Sequence, residues 1–145
     1  MLKLSEAASL ALHTMVYLAG LPGRQVSVRE IAGDLDVSEA HLSKVLQRLA
    51  RDRLVNSVRG PKGGFSLNSR YAEISLLDIY ESIEGPLHDR HCFRTTRVCN
   101  SNDCIFGGLL GDVNMQVREY LSKTKLPQLA GRIGSGNGKG RQENY

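Results

Sequence analysis

The sequence predicts a mainly α-helical fold with one small β-hairpin, in a chain of 145 residues, which is the size of one compact domain. Three observations support this class. Apolar residues recur at helical spacing through the first fifty residues, a short alternating run flanks a glycine-rich turn, and a second helical stripe lies near the C-terminus. All three cysteines lie between the hairpin and that last stripe.

The first helix is predicted by apolar residues at three- and four-residue spacing between Leu4 and Ala19. The sequence GLPG that follows ends the pattern. A cleaved secretory leader is the competing interpretation of this N-terminus, but Glu6 and His13 interrupt any continuous apolar segment. We also find no run of roughly eighteen apolar residues, so we expect no membrane span.

Two shorter helices follow the first one. Ser27, with Glu30 three residues later, is a capping-box pattern that predicts the start of the second helix. Asp36 and Val37 break this helix, and Ser38 can cap a third. The third helix carries its apolar side on Leu42, Val45, Leu46, Leu49 and Ala50. Two helices joined by a tight turn form a helix-turn-helix pattern.

A hairpin and two more helices complete the pattern. Leu54–Val58 is β-prone, RGPKGG is a basic glycine turn, and Phe65–Leu67 alternates, which together predict a hairpin or wing. Ser75 can cap a fourth helix that ends at Gly85 and Pro86. The last helix, which runs to about Lys123, has one apolar stripe, formed by Ile105, Leu109, Val113, Val117, Tyr120 and Leu121.

The chain therefore divides into four expected segments. Residues 1–84 form a winged helix-turn-helix DNA-binding domain, and residues 85–104 form a cysteine-bearing sensor loop. Residues 105–130 form a dimerisation helix, and residues 131–145 form a glycine-rich tail that we expect to be disordered.

Candidate DNA contacts come from the third helix and the basic turn. In a helix-turn-helix the second helix lies in the major groove with its N-terminal residues at base edges. Here those residues are Ser38, Glu39, Ala40, His41, Ser43 and Lys44. A cluster of cations follows, made of Arg48, Arg51, Arg53, Arg59 and Lys62. The helix alone could be a solvated face, but the basic wing beside it and the net charge of +4 favour DNA binding.

The sequence shows no catalytic motif: there is no Ser-His-Asp pattern, no phosphate loop and no paired-carboxylate motif, so we do not expect an enzyme. The cysteines, Cys92, Cys99 and Cys104, are separated by six and four residues in a polar stretch. Thiolates suit iron–sulfur clusters, zinc and copper(I). Zinc sites usually contain closer cysteine pairs, which are absent here, so an iron–sulfur cluster is one candidate. Zinc with one histidine and a metal-free thiol switch remain the alternatives.

The run VSEAHLSKVLQRLARDRLVNSVRGPKGGFSLN resembles the signature of the Rrf-type bacterial regulators, the family of IscR, NsrR and CymR. The shared pattern comprises the leucines Leu42, Leu46 and Leu49 and the wing sequence up to Leu67, with Phe65 where the family typically has tyrosine. Three cysteines before a final long helix also match. The resemblance covers residues 1 to about 130.

This resemblance implies a homodimeric repressor in the bacterial cytoplasm that binds double-stranded DNA and senses redox state, nitric oxide or iron–sulfur status. It implies that Cys92, Cys99 and Cys104 ligate a 2Fe–2S or 4Fe–4S cluster, and that Arg59 and Lys62 contact DNA. The cysteine spacing departs from that of cluster-binding members and leaves the cluster type open.

Three thiolates leave one ligand position open. Some family members take a ligand from the first helix, which makes His13 a candidate here. The alternative function is a regulator of the same fold that a metal-free thiol switch or a partner protein controls.

Overall fold

The computed structural model describes residues 3–88, residue 99 and residues 104–134. These residues form α1 (Glu6–Ala19), α2 (Val28–Leu35), α3 (Glu39–Arg51), β1 (Val55–Val58), β2 (Gly64–Leu67), α4 (Leu76–Glu84) and α5 (Leu109–Lys123). Short 3-10 turns, Tyr71–Glu73 and Leu126–Leu129, precede α4 and follow α5. The predicted class, mainly helical with one antiparallel hairpin, is confirmed.

The core is built around α1. This helix begins after Ser5, whose hydroxyl accepts a hydrogen bond of 3.1 Å from the backbone N–H of Ala8. Its buried face packs against α3, α4, β2 and the last 3-10 turn, and includes Ala11, Met15 and Leu18. Leu4, which the spacing placed in the helix, lies before its first residue and is exposed.

Serines cap α2 and α3, as the sequence predicts. Ser27 Oγ accepts from the N–H of Glu30 at 3.2 Å, and Ser38 Oγ accepts from the N–H of His41 at 3.4 Å. Only one of the two hydrogen bonds of the predicted capping box at Ser27 forms. The Glu30 carboxylate binds Arg24 at 2.7 Å instead of the Ser27 backbone, because this cation lies within its reach.

The turn between α2 and α3 is tight and held from α1. Asp36 adopts a left-handed φ of 54°, and the N–H of Val37 donates to the carbonyl of Ala32 at 3.0 Å. Tyr17 of α1 donates its phenolic O–H to Asp34 Oδ2 at 2.6 Å. Burial, and then this hydrogen bond, raise the pKa of the Tyr17 phenol. The end of α2 is therefore joined to the core helix.

The hairpin is anchored on both edges of β2. Val55 of β1 pairs antiparallel with Leu67, and both side chains are buried. On the other edge, Phe65 exchanges two backbone hydrogen bonds of 2.8 Å with Val26, the residue just before the cap of α2. The wing, defined here as β1, β2 and residues 59–63 between them, is thus attached to the helix-turn-helix.

The predicted capping box at α4 is present. Ser75 Oγ accepts from the N–H of Asp78 at 3.1 Å, and Asp78 Oδ2 accepts from the N–H of Ser75 at 2.7 Å. The helix ends at Gly85, whose φ of 81° is a conformation that glycine adopts at little cost.

The last helix, α5, packs against α4 and ends at Lys123 as predicted. It begins at Leu109, and the expectation that Ile105 belongs to it is wrong. Ile105 is 82% exposed and lies in a turn with Gly107, whose φ is 57°. A left-handed residue cannot continue a right-handed helix, so the helix starts after this turn.

After α5 the chain returns to the core. The N–H of Leu126 donates to the carbonyl of Ile74 at 3.0 Å, and the Leu126 side chain is fully buried. Ile133 is half-buried against the core, whereas residues 135–145, most of the tail predicted to be disordered, lie outside the described residues. None of the described helices has both the length and the hydropathy that a bilayer span requires.

Candidate nucleic-acid interface and cysteine site

α3 has an enclosed side and an outward side. Its enclosed side packs into the core through Leu42, Val45, Leu46 and Leu49. Its exposed residues are Glu39, Ala40, Lys44, Gln47, Arg48 and Arg51. The helical period aligns four of these in one row, which we call the outward stripe: Ala40, Lys44, Gln47 and Arg51.

The residues predicted at the start of α3 fall in three places. Ser38 is the N-cap, and its hydroxyl is engaged by the backbone of the first turn. Four of the predicted residues are exposed, namely this N-cap Ser38 together with Glu39, Ala40 and Lys44. His41 and Ser43 are half-buried at the flanks. The prediction omitted Gln47, although its position seven residues after Ala40 was a readable signal.

Both cations predicted at the wing tip are exposed. Arg59 and Lys62 lie in the loop between β1 and β2, and Gly60 between them has a φ of 114°. Gln25 Nε2 donates to the backbone carbonyl of Lys62 at 2.5 Å, which attaches the tip to the segment before α2. The backbone of the tip is therefore held by a hydrogen bond from Gln25, and its two charged side chains are exposed to solvent.

Two of the wing glycines are required by close backbone contacts within the protein. A Cβ at Gly63 would lie 2.4 Å from the carbonyl oxygen of Val58, and a Cβ at Gly64 would lie 2.4 Å from that of Val26. Any side chain at these positions would collide with backbone. By contrast, a Cβ at Gly60 meets nothing within 4 Å. Glycine is therefore required at Gly63 by the backbone of the wing itself and at Gly64 by the backbone of Val26, just before the cap of α2.

The cations of α3 and the wing have no anionic partner in the described part of the chain. The ion pairs found there involve four other cations, Arg24, Arg70, Arg118 and Lys123. On α3, the turn after it and the wing, the cations outside these ion pairs are Lys44, Arg48, Arg51, Arg53, Arg59 and Lys62, and all of them are exposed, as are Lys3, Arg29 and Arg132 elsewhere. An unpaired, exposed cation is available for a phosphate group.

Only part of the predicted cysteine site can be described. Cys92 lies outside the described residues, while Cys99 and Cys104 are half-buried and carry free thiols. No group of three or more histidines, cysteines and acidic residues is placed to hold a metal within residues 3–88, 99 and 104–134. The predicted triad includes a residue outside these ranges and stays a prediction. Its donor chemistry, three thiols in one polar stretch, fits an iron–sulfur group.

His13, the predicted fourth ligand, is exposed on α1. Its Nδ1 lies 2.7 Å from the carbonyl oxygen of Ser9. A carbonyl only accepts, so Nδ1 is the donor in this contact, and in the neutral imidazole the lone pair is then on Nε2. Metal-ligating histidines commonly have this arrangement. His13 also borders a cleft of about 370 Å³ that reaches Ser38 and His41 at the start of α3.

A model of a protein family described as Rrf2, an iron-dependent transcriptional regulator, matches residues 4–132. The chain belongs to the Rrf2 family. BadM of Rhodopseudomonas palustris, which is named as an HTH-type transcriptional regulator, is 41% identical over 83 residues. That alignment covers 57% of this Rrf2 chain and 53% of BadM.

Two solved structures extend the comparison over most of the Rrf2 chain. CymR (YrzC), the global cysteine regulator of B. subtilis, is similar with a TM-score of 0.76 and 30% identity, covering 92% of this chain and 100% of CymR. IscR of T. potens is similar with a TM-score of 0.68 and 26% identity, covering 88% of this chain and 86% of IscR. The predicted family resemblance and the winged helix-turn-helix class are confirmed.

These comparisons establish the general role of this Rrf2 protein. Its relatives are transcriptional regulators and not enzymes, as the sequence predicted. Regulators of this family bind DNA, so the exposed cations of α3 and the wing lie on a protein whose partner is DNA.

Proposed function

We propose that this Rrf2 protein is a homodimeric, sequence-specific DNA-binding repressor whose affinity for its operator depends on an iron–sulfur cluster. The observation that carries the DNA-binding part is the set of exposed, unpaired cations on α3 and the wing. The cluster part rests on the three thiols and on the similarity to IscR.

In this proposal the start of α3 enters the major groove. Ser43 and Lys44 can donate hydrogen bonds to base edges, and the methyl group of Ala40 can contact a thymine methyl. The other predicted contacts at this end of the helix are Ser38, Glu39 and His41. Arg59 and Lys62 at the wing tip bind phosphates or the minor groove.

The homodimer is proposed from the exposed face of α5. Leu109, Val113 and Tyr120 are 58%, 46% and 61% exposed, respectively, and their spacing puts them on one side of the helix. A row of large apolar side chains exposed to water is typical of a protein–protein contact. A second copy of α5 covers this row in a two-fold dimer, which then reads a palindromic operator.

The cluster is proposed to be of the 2Fe–2S or 4Fe–4S type, held by Cys92, Cys99 and Cys104, with His13 as the candidate fourth ligand. When bound, such a group supplies a redox-active and chemically labile iron centre that responds to oxidants, nitric oxide or iron supply. The chain's own part is to supply the thiolates. It must also convert a change at the cysteines into a change at α3.

The contacts that begin this conversion surround the segment after α4. Arg118 of α5 donates to the carbonyl of Leu87 at 2.6 Å and lies 3.5 Å from Glu81 Oε1 of α4. The same carboxylate accepts from the N–H of Leu87 at 3.0 Å, and Asn114 donates to the carbonyl of His88 at 3.2 Å. A rearrangement of the cysteine stretch therefore acts on α4 and α5, and α4 packs against α3.

The DNA-binding part is tested by fluorescence anisotropy with an operator selected from random duplexes. Arg59→Ala should weaken binding to all sequences and lower the salt slope by about 1, because one phosphate contact is lost. Ser43→Ala should instead change sequence preference. Arg70→Ala is the control, since Arg70 is exposed but its charge is paired with Glu73. Equal affinities of Arg59→Ala and wild type at every salt concentration would contradict the wing assignment.

The cluster part is tested on protein purified without oxygen, by its visible absorbance and by iron and sulfide assays. Wild type should show charge-transfer bands that Cys99→Ser loses. A second function is favoured by the similarity to a cysteine regulator. It is control by a metal-free thiol switch or by a partner protein. Colourless protein without iron or sulfide, even after reconstitution, would support this second function.

A further inference from the structure

We propose that Gln47 is a specificity-determining residue that reads an adenine in the major groove. The proposal rests on the proposed docking of α3. Gln47 lies in the third turn of this helix, on the outward stripe, and is exposed. Its amide bonds no other residue in the described part of the chain, so its donor and acceptor are both available to a ligand.

The neighbours of Gln47 favour a base over a phosphate as its partner. Lys44 and Arg51, three residues before it and four after it, are exposed cations without ion-pair partners, so the charged contacts of this stripe fall to them and not to a neutral amide. Ser43 and Ala50, the other two neighbours at helical spacing, are small and leave room around the amide. The amide thus stands between two cations that bring the helix to DNA.

Adenine is the base whose major-groove edge matches this side chain. Its N7 accepts and its N6 amino group donates, so a glutamine amide can make both hydrogen bonds at once. Guanine shows two acceptors at the same edge, N7 and O6, which Arg or Lys satisfies better. Gln47 lies seven residues after Ala40, about 10 Å along the helix axis. The adenine should therefore lie in the same half-site as the base that Ala40 contacts, displaced along the groove in the direction of the helix.

The inference is tested by replacing each adenine of the selected half-site, one at a time, with 7-deazaadenine, which lacks the N7 acceptor. At one position this change should weaken wild-type binding by about five- to ten-fold. The same change should leave Gln47→Ala unaffected, because the variant has already lost the contact. Gln47→Glu should shift the preference at that position towards cytosine, whose N4 amino group donates to a carboxylate.

Arg51→Ala is the matched control on the same stripe. It should weaken binding to all duplexes and lower the salt slope, yet keep the full 7-deazaadenine effect. The inference is overturned if Gln47→Ala keeps the sequence preferences of wild type while wild type binds its operator. If wild type instead binds no duplex above the level of random DNA, the proposed docking of α3 fails as well. Equal circular dichroism spectra of the variants establish that the fold is unchanged.

Discussion

The hydroxyl of Ser82 donates a hydrogen bond of 2.5 Å to Asp52 Oδ2, which joins α4 to the residue that caps the C-terminal end of α3. Its neighbour Glu81 holds the N–H of Leu87 at 3.0 Å. Two adjacent residues of α4 thus contact two different regions. Glu81 contacts the segment that leads to the cysteines, and Ser82 contacts the C-terminal end of α3, the helix proposed to read DNA. We infer that this pair is one place where the two proposed sites are coupled.

Ser82→Ala should lower the free energy of unfolding by about 1 kcal/mol, because one hydrogen bond to a carboxylate is lost. It should also reduce the difference in DNA affinity between protein purified without oxygen and protein whose thiols have been oxidised. Urea unfolding and anisotropy measure the two effects. Ser69→Ala, at an exposed serine after β2, is the control and should change neither. If Ser82→Ala shifts both affinities equally, the bond has a structural role only.

Alkaline pH should destabilise the fold through Tyr17. Burial and the contact with Asp34 raise the pKa of this phenol in the folded chain, whereas in the unfolded chain it titrates near its ordinary value of about 10. Above that pH the unfolded state loses a proton that the folded state keeps, so the free energy of unfolding falls as pH rises.

Tyr17→Phe should therefore flatten this alkaline fall in stability, and it should cost about 1 kcal/mol at neutral pH, where only the hydrogen bond to Asp34 is lost. Urea unfolding at a series of pH values measures both quantities. Tyr71→Phe is the control, because Tyr71 is half-buried and its hydroxyl bonds no residue among those described. An unchanged alkaline slope in Tyr17→Phe would show that another group controls it.

Alanine should have opposite effects at two glycines. Gly64→Ala should destabilise the protein by about 1–3 kcal/mol, since its Cβ would lie 2.4 Å from the backbone oxygen of Val26. Gly33→Ala, inside α2 with open space around it, should stabilise by about 0.5–1 kcal/mol through helix propensity. Thermal unfolding tests both. A neutral Gly64→Ala would mean that the contact between β2 and Val26 can relax.

A charge on the exposed row of α5 should separate the proposed dimer. Val113→Asp places a carboxylate among Leu109 and Tyr120, and burying it against a second copy is costly. Met115→Asp is the control, because Met115 is also exposed but lies on nearly the opposite side of the helix. Light scattering after size exclusion should give a dimer for wild type and Met115→Asp, and a monomer for Val113→Asp. Dimers in all three would place the interface elsewhere.

The order of the elements and most of their ends were predictable from local sequence patterns. Ser38 and Ser75 were readable as caps because a cap bonds a backbone group only three residues away. The wing was readable from alternation around RGPKGG, and the enclosed side of α3 from its helical period. These signals are local, since every partner involved lies within a few residues along the chain.

Contacts between separate elements were not predictable in this way and are visible only in the packed fold. The Glu30 carboxylate binds Arg24 and not the backbone of Ser27, the N-cap of its own helix. Position 64 must be glycine because the backbone of Val26, which is distant in sequence, lies close to it. Such contacts depend on how the elements pack, and packing is set by the summed burial of many side chains, which no local pattern records.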